Sequence, residues 1–175
     1  YNERVEASRN FANKVWNASR FIMMNMDENI IDEPSHDLFT PADRWILSAA
    51  NTLAKDVTDN MDKFELGIAV QKVYDFIWDE FCDWYVEMAK FRIYHKEEAP
   101  EAANCALWVL KTVLAQGLKL LHPFMPFITE EIYGALVPEE ESLMMSEWPK
   151  YKEEWNFAQD EFVMERVKAV TRGTV

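Results

Sequence analysis

Apolar residues recur at helical spacing in several long stretches of the chain, and they are densest between Phe64 and Tyr94. There they fall at alternating steps of three and four residues, which is the period of an α-helix. A second apolar line runs beside the first, so we expect this central helix to lie deep in a bundle. The first line consists of Val70, Tyr74, Ile77, Phe81, Trp84, Met88 and Phe91, and the second of Val73, Trp78 and Tyr85.

Prolines and capping residues mark the beginnings of other helices. Thr40 and Asp43 flank Pro41 in the arrangement of a capping box, which predicts a helix from there to about Met61. Residues 137–151 are polar with a short apolar centre, and we expect them to lie extended on the bundle. The remaining predicted helices span 3–25, 100–121, 126 or 129 to 136, and 156–170. The predicted fold is all-α, a helical bundle.

The pattern also predicts how the chain is divided. We expect residues 1–150 to form the bundle with its extended C-terminal linker, and residues 151–175 to form a final helix that leads toward a further region. The helical pattern begins and ends almost at the two termini of the sequence. We therefore expect both ends to be cut from a longer protein.

Charge is distributed unevenly along the 175 residues. The net charge is −13, which argues against a generally basic nucleic-acid-binding protein, but residues 1–25 carry +2. No apolar run reaches the roughly 20 residues of a transmembrane helix, and the first residues are polar, so neither a membrane span nor a signal peptide is predicted. Cys82 and Cys105 lie on apolar helical surfaces, which is typical of reduced core cysteines in a cytoplasmic protein.

The polar faces of the opening helix, residues 3–25, are unusual. Asparagine is a poor helix former because its side chain competes for backbone hydrogen bonds, and this helix contains three in its middle. Amide and basic groups beside an aromatic ring suit a nucleic-acid base. The alternative is that the asparagines bond to a neighbouring segment while Trp16 and Phe21 belong to the core. The candidate side chains are Asn10, Asn13, Lys14, Asn17, Arg20 and Phe21.

Motifs for catalysis are missing. The four glycines are scattered singly, so there is no phosphate-binding loop, and there is no paired Cys-x-x-Cys or His-Glu-x-x-His. Glu33 and His36 have the spacing of a helical metal pair, but Pro34 between them disfavours the helix. His122 has no accompanying nucleophile, so a packing or capping role is predicted for it. The sequence therefore predicts no catalytic residue, and no enzymatic activity of this chain alone.

Five runs of residues, taken together and in order, resemble the anticodon-binding domain of the valyl-tRNA synthetase family. The resemblance covers nearly the whole chain, and the fourth run is the most specific to this family. The fifth is similar to other class I synthetases as well. The runs are RNFANKVWNASRF (9–21), ADRWILS (42–48), KFELG (63–67), YDFIWDEFCDWY (74–85) and HPFMPFITEEI (122–132).

The resemblance implies a tRNA-binding fragment of an ATP-dependent ligase that attaches valine to its tRNA. The nucleotide-binding signatures of that class, His-Ile-Gly-His and Lys-Met-Ser-Lys-Ser, are absent from this sequence. The resemblance thus implies that catalytic and editing domains precede Tyr1 and that a C-terminal coiled coil follows Val175. ATP and magnesium would belong to the parent enzyme, with no cofactor in this fragment. The implied partner is the anticodon stem-loop of tRNA(Val), in the cytoplasm.

The resemblance also assigns roles on the opening helix. Phe21 would stack on a base, and Lys14 and Arg20 would contact phosphate or base edges. Asn13 and Asn17 would add amide hydrogen bonds, and Asn10 lies next to them. Three alternatives stay open: the same domain of an isoleucyl- or leucyl-tRNA synthetase, a helical protein-interaction module without RNA binding, and a bundle metalloenzyme.

Overall fold

The protein is described by a computed structural model over residues 2–27 and 31–173. Residues 1, 28–30 and 174–175, which include part of the connection after the opening helix, lie outside the described residues. Within the described ranges the chain is helical and contains no β-strand, so the predicted all-α bundle is confirmed. The helices are α1 (Asn2–Asn25), α2 (Pro41–Asp62), α3 (Leu66–Asp75), a π-helical segment (Phe76–Val86), α4 (Glu87–Tyr94), α5 (Pro100–Leu121), α6 (Pro126–Leu136) and α7 (Ala158–Thr171).

The central helix forms one rod made of α3, the π segment and α4. Phe76 and Val86, at the two junctions, both have right-handed helical backbone angles, so the rod is not interrupted. Its fully buried side chains fall on every fourth residue, unlike the predicted alternation of three and four. They are Ala69, Val73, Ile77, Phe81, Tyr85, Ala89 and Ile93.

This longer spacing corrects part of the predicted apolar face. Turns closed by i→i+5 hydrogen bonds hold more residues than α-turns, so the buried line drifts away from a 3.6-residue period. Trp84 and Met88 are only half-buried, and Phe91, predicted to lie on the core face, is 69% exposed. Trp78 on the second predicted line is also exposed, at 38%.

Helix α1 lies along the π segment and buries the predicted apolar face. Phe11, Val15, Ala18 and Ile22 are buried, whereas Ser8, placed on the same face, is exposed. The Phe11 ring stacks on Tyr74 of α3 with 4.0 Å between the ring centres. One side of α1 is thereby fixed against the rod, and the opposite side faces solvent.

The predicted start of α2 is confirmed in detail. The Thr40 hydroxyl accepts a hydrogen bond from the Asp43 backbone N–H at 3.2 Å, and the Asp43 carboxylate accepts one from the Thr40 backbone N–H at 2.9 Å. Helix α2 packs on α3, α5 and α7, and α5 packs in turn on α4 and α6. His122 at the end of α5 bonds to the Thr129 hydroxyl at 2.9 Å, which is the packing role predicted for it.

The segment after α6, predicted to lie extended on the bundle, is extended only in its second half. Residues 138–146 form turns and a short 3-10 helix (Leu143–Met145) that contacts α6, and residues 147–152 then run along α2. The Asn51 side chain donates to the Lys152 carbonyl at 2.8 Å and accepts from the Lys152 N–H at 2.9 Å. Helix α7 then packs on α2, but most of its apolar residues face outward while Met164 and Lys168 are buried. The division of the chain at residue 150 stays a prediction. The exposed apolar residues of α7 are Phe162, Val163, Val167 and Val170.

Both cysteines are free and buried, as the sequence predicts. Over the part of the chain that the structure describes, no helix is both long enough and apolar enough to cross a bilayer.

Candidate nucleic-acid interface

The outward side of α1 carries four polar side chains in a single line. Asn10, Asn13, Asn17 and Arg20 follow one another at steps of three, four and three residues, so they share one face of the helix. All four are exposed, and within residues 2–27 and 31–173 none of them forms a hydrogen bond or ion pair. The alternative in which the asparagines bond to a neighbouring segment is therefore wrong for the described chain.

Lys14 lies at the edge of this face and points toward the rod. Its ammonium group forms an ion pair with the carboxylate of Asp83 and lies 3.8 Å from the centre of the Trp78 ring. Only 25% of its side chain is exposed. A phosphate that approaches the Lys14 ammonium therefore competes with the Asp83 carboxylate.

Phe21 is half-buried where α1 meets α4 and packs against the hydrophobic core. Its ring meets the ring of Tyr94 edge to face, with 6.3 Å between the centres, and the Lys90 ammonium lies 5.7 Å from the centre of the Phe21 ring. Trp16 is also half-buried against the core. The core role considered for both rings is thus partly confirmed, and Phe21 joins α1 to the end of the rod.

The electrostatic character of α1 differs from that of the rest of the chain. Residues 7–26 contain three cationic side chains and no acidic one, in a chain of net charge −13. Arg9 and Arg20 are exposed and have no acidic partner among the described residues. This side of the bundle therefore offers amides and free guanidinium groups to a polyanion, and Arg can bind phosphate with two parallel hydrogen bonds.

Sequence reasoning missed a second group of side chains on α4. Phe91 and Tyr94 are 69% and 65% exposed, and Tyr94 touches Phe21 of α1. The helical period assigned Phe91 to the core, so the pattern gave no signal for its exposure. The signal that was present is chemical: Phe91, Tyr94 and His95 bring three rings together at the end of one helix.

No three His, Cys, Asp or Glu side chains converge on a possible metal position within the described ranges. Glu33 and His36 contact each other at 2.8 Å on an exposed 3-10 turn, which is a local pair on the surface. The exposed amides and guanidinium groups of α1 are suited to binding a polyanion.

The relationship to known proteins agrees with this chemistry. A family model for the anticodon-binding domain of tRNA ligases matches residues 43–173, and the chain belongs to that family. The valine–tRNA ligase of Clostridium tetani is 51% identical over 175 residues, and that of Clostridium perfringens 53% identical over 173. That of Carboxydothermus hydrogenoformans is 49% identical over 148 residues. Among tRNA ligase anticodon-binding domains, the chain is thus homologous to the one in valine–tRNA ligases.

The alignments cover most of this chain but only a small part of each relative. They include 97%, 96% and 85% of this chain but only 20%, 19% and 16% of the respective relatives. The chain spans about one fifth of the length of the first curated relatives it matches. The family match starts at residue 43, after α1, whereas the two Clostridium alignments leave out only a few residues and so include most of that helix.

Proposed function

We propose that this chain binds the anticodon stem-loop of tRNA(Val) through the outward side of α1, as the non-catalytic part of a valine–tRNA ligase. The observation that carries the proposal is the line of exposed amides and one arginine without partners, in a member of the anticodon-binding family. Unpaired bases of an RNA loop expose hydrogen-bonding edges, which side-chain amides match. The identity to valine–tRNA ligases supports valine over isoleucine or leucine.

The roles proposed for single side chains are those that the resemblance of α1 to its family implies, and the exposure of Asn13, Asn17 and Arg20 supports them. Asn13 and Asn17 hydrogen-bond to base edges, with Asn10 extending the same line, and Arg20 contacts phosphate or a base edge. Phe21 stacks on a base with the exposed part of its ring. Lys14 contacts phosphate by exchanging Asp83 for the RNA. Residues 7–26 contain no carboxylate that would repel the RNA backbone.

The activity of the longer relatives is proposed for the protein to which this region belongs. In that proposal the ATP-dependent charging of tRNA with valine, and the ATP and magnesium it needs, belong to catalytic and editing domains of the parent chain. A C-terminal coiled coil and cytoplasmic location belong to the same proposal. The 175-residue chain itself binds RNA without catalysis and without a cofactor.

Titration of an RNA stem-loop carrying the valine anticodon tests the proposal. Binding to the chain is measured at low salt, against a stem-loop of the same stem with a scrambled loop. We expect the valine loop to bind more tightly, and Asn17→Ala/Arg20→Ala to remove most of that preference. Both side chains are exposed, so this variant keeps the fold. Asn156→Ala/Arg166→Ala, which removes the same residue types from exposed positions near α7, is the matched control.

The same titration separates the alternatives. Loops with isoleucine or leucine anticodons that bind as tightly as the valine loop would contradict the valine assignment. Equal binding of all loops by wild type and variant, or no binding, would contradict anticodon recognition by α1 and favour a protein-interaction module. Metal analysis of the purified chain tests the metalloenzyme alternative separately.

A further inference from the structure

Two large aromatic rings at the end of the rod are exposed to solvent. Phe91 is 69% exposed and Tyr94 65% exposed, whereas Ile93 between them is fully buried. The His95 ring lies 4.4 Å from the Phe91 ring, tilted by 32°. Its Nδ1 is 2.7 Å from the Phe91 carbonyl oxygen, which fixes the imidazole beside the phenyl ring.

The backbone of the rod enforces this exposure. Tyr85, Ala89 and Ile93 continue the buried line at four-residue steps, so they define the inward side of α4. Phe91 lies two residues from both Ala89 and Ile93, on the opposite side of the helix. Turning its ring into the core would require rotating the whole of α4.

The exposed rings are continuous with the proposed RNA-binding side of α1. Tyr94 contacts Phe21 edge to face at 6.3 Å, and Lys90 lies over the Phe21 ring at 5.7 Å. Arg20, beside Phe21 in the chain, is exposed and unpaired in the described structure. Lys90, which also pairs with Glu87, and the unpaired Arg20 thus place cationic groups around Phe21, next to the exposed rings. A cation near aromatic rings favours a nucleotide, which brings both a base and a phosphate, over an apolar protein segment.

We propose that Phe91 and His95 form a second stacking shelf, which takes an unpaired base of the RNA loop held by α1. The inference rests on the proposed function and extends its site from one helix to two. Phe91 supplies the open face for the base, and His95 holds the ring in position and widens the shelf. Every base has a π-face, so the shelf adds affinity for an unpaired nucleotide whatever its identity.

Stem-loop RNAs with 2-aminopurine at one loop position at a time provide the test. Stacking quenches this fluorescent base, so the loop position that reaches the shelf is the one quenched on binding. We expect Phe91→Leu to bind the valine stem-loop roughly tenfold more weakly and to lose quenching at that position. Phe91→Tyr keeps an aromatic face and should restore both. Phe64→Leu is the matched control, because Phe64 is 88% exposed at the other end of the rod.

The possible results distinguish failure of the proposed function from failure of the stacking shelf. Wild-type chain that binds no stem-loop overturns the proposed function and the shelf with it. The shelf alone is overturned if the wild-type chain prefers the valine loop and Phe91→Leu shows the same affinity and the same quenching as wild type. The shelf is also overturned if Phe91→Leu weakens binding of an RNA with an abasic loop as much as it weakens binding of the valine stem-loop. A sugar–phosphate loop without bases cannot stack on a ring.

Discussion

The Arg92 guanidinium holds the Asp43 carboxylate inside the bundle through two hydrogen bonds, of 3.0 Å (Nη1 to Oδ2) and 2.5 Å (Nη2 to Oδ1). Asp43 is fully buried, and it also accepts from the Tyr85 hydroxyl at 2.6 Å and from the Thr40 N–H at 2.9 Å. Burial and the nearby Asp43 charge raise the pKa of Tyr85 well above its usual value, so it remains a neutral donor. One carboxylate thus caps α2 and connects it to the π segment and α4.

Removing this carboxylate should cost much of the stability of the bundle. We expect Asp43→Leu to lower the free energy of unfolding by about 3–5 kcal/mol, because Arg92 would remain largely buried without its partner. Urea unfolding followed by circular dichroism measures the change. Glu87→Gln is the control, since its ion pair with Lys90 is an exposed pair worth about 1 kcal/mol or less. Equal losses in the two variants would show that the buried pair is not a main support of the fold.

Local signals made the beginnings of the helices predictable from the sequence. Thr40, Pro41 and Asp43 lie within four residues, and their capping geometry depends on backbone that they themselves position. The bounds of α5 and α6 follow prolines in the same way. Such features need no knowledge of the rest of the fold.

The π segment and its consequences could not be predicted, because the pattern was interpreted with a uniform 3.6-residue period. The π segment between Phe76 and Val86 lies where the rod packs against α1, α2 and α5. The buried line that continues through Ala89 and Ile93 leaves Phe91 on the surface. The candidate site was affected similarly. Residue types singled out the polar side chains of α1 but left open whether they are exposed or bonded to a neighbouring segment. They also gave no sign that Lys14 meets Asp83, 69 residues later in the chain.

The two cysteines should be almost unreactive in the folded protein. Burial raises the pKa of Cys82 to about 12 and that of Cys105 to about 11, so very little thiolate forms at pH 8. We expect both to react with a disulfide reagent such as DTNB roughly a hundredfold more slowly than in guanidinium-unfolded protein, since the thiolate is the nucleophile. Fast labelling of one thiol in the native protein would show that its helix opens locally. Cys82→Ala and Cys105→Ala each leave one thiol, so the two variants show which cysteine accounts for the labelling rate of the native protein.

The packing of α7 should give the stability a distinctive pH dependence. Burial raises the pKa of Glu80 above 4.5 against the opposing effect of Lys168, and burial likewise raises that of Glu161. The folded state then binds protons more tightly than the unfolded state, so these two groups reduce stability as pH rises from about 4.5 through their raised values. Glu80→Gln/Glu161→Gln cannot ionise there, so we expect its stability relative to wild type to increase with pH across that window.

Urea titrations between pH 4 and 8 measure this difference. The trend of Glu154→Gln, which removes an exposed carboxylate shortly before α7, corrects for the change in net charge. A relative stability of the double variant that stays flat with pH would show that Glu80 and Glu161 titrate alike in the folded and unfolded states.

The ion pair between Lys14 and Asp83 should weaken RNA binding. Asp83→Asn leaves Lys14 over the Trp78 ring but frees its charge for a phosphate, so we expect the valine stem-loop to bind several-fold more tightly at low salt. Lys14→Ala should bind more weakly and reduce the slope of log K against log salt by about 0.7, as for one lost contact to single-stranded RNA. Both effects are measured by titration at several salt concentrations.

The double variant Lys14→Ala/Asp83→Asn separates release of Lys14 from the simple loss of a negative charge. If Asp83 acts by holding Lys14, Asp83→Asn strengthens RNA binding in the wild-type background. It has little effect in the Lys14→Ala background, because the effects of the two substitutions are then coupled. If Asp83→Asn strengthens binding equally in both backgrounds, and Glu154→Gln, shortly before α7, gives the same gain, then only the net charge matters. If Lys14 is purely structural, its removal lowers the unfolding free energy and leaves the salt slope of RNA binding as it was.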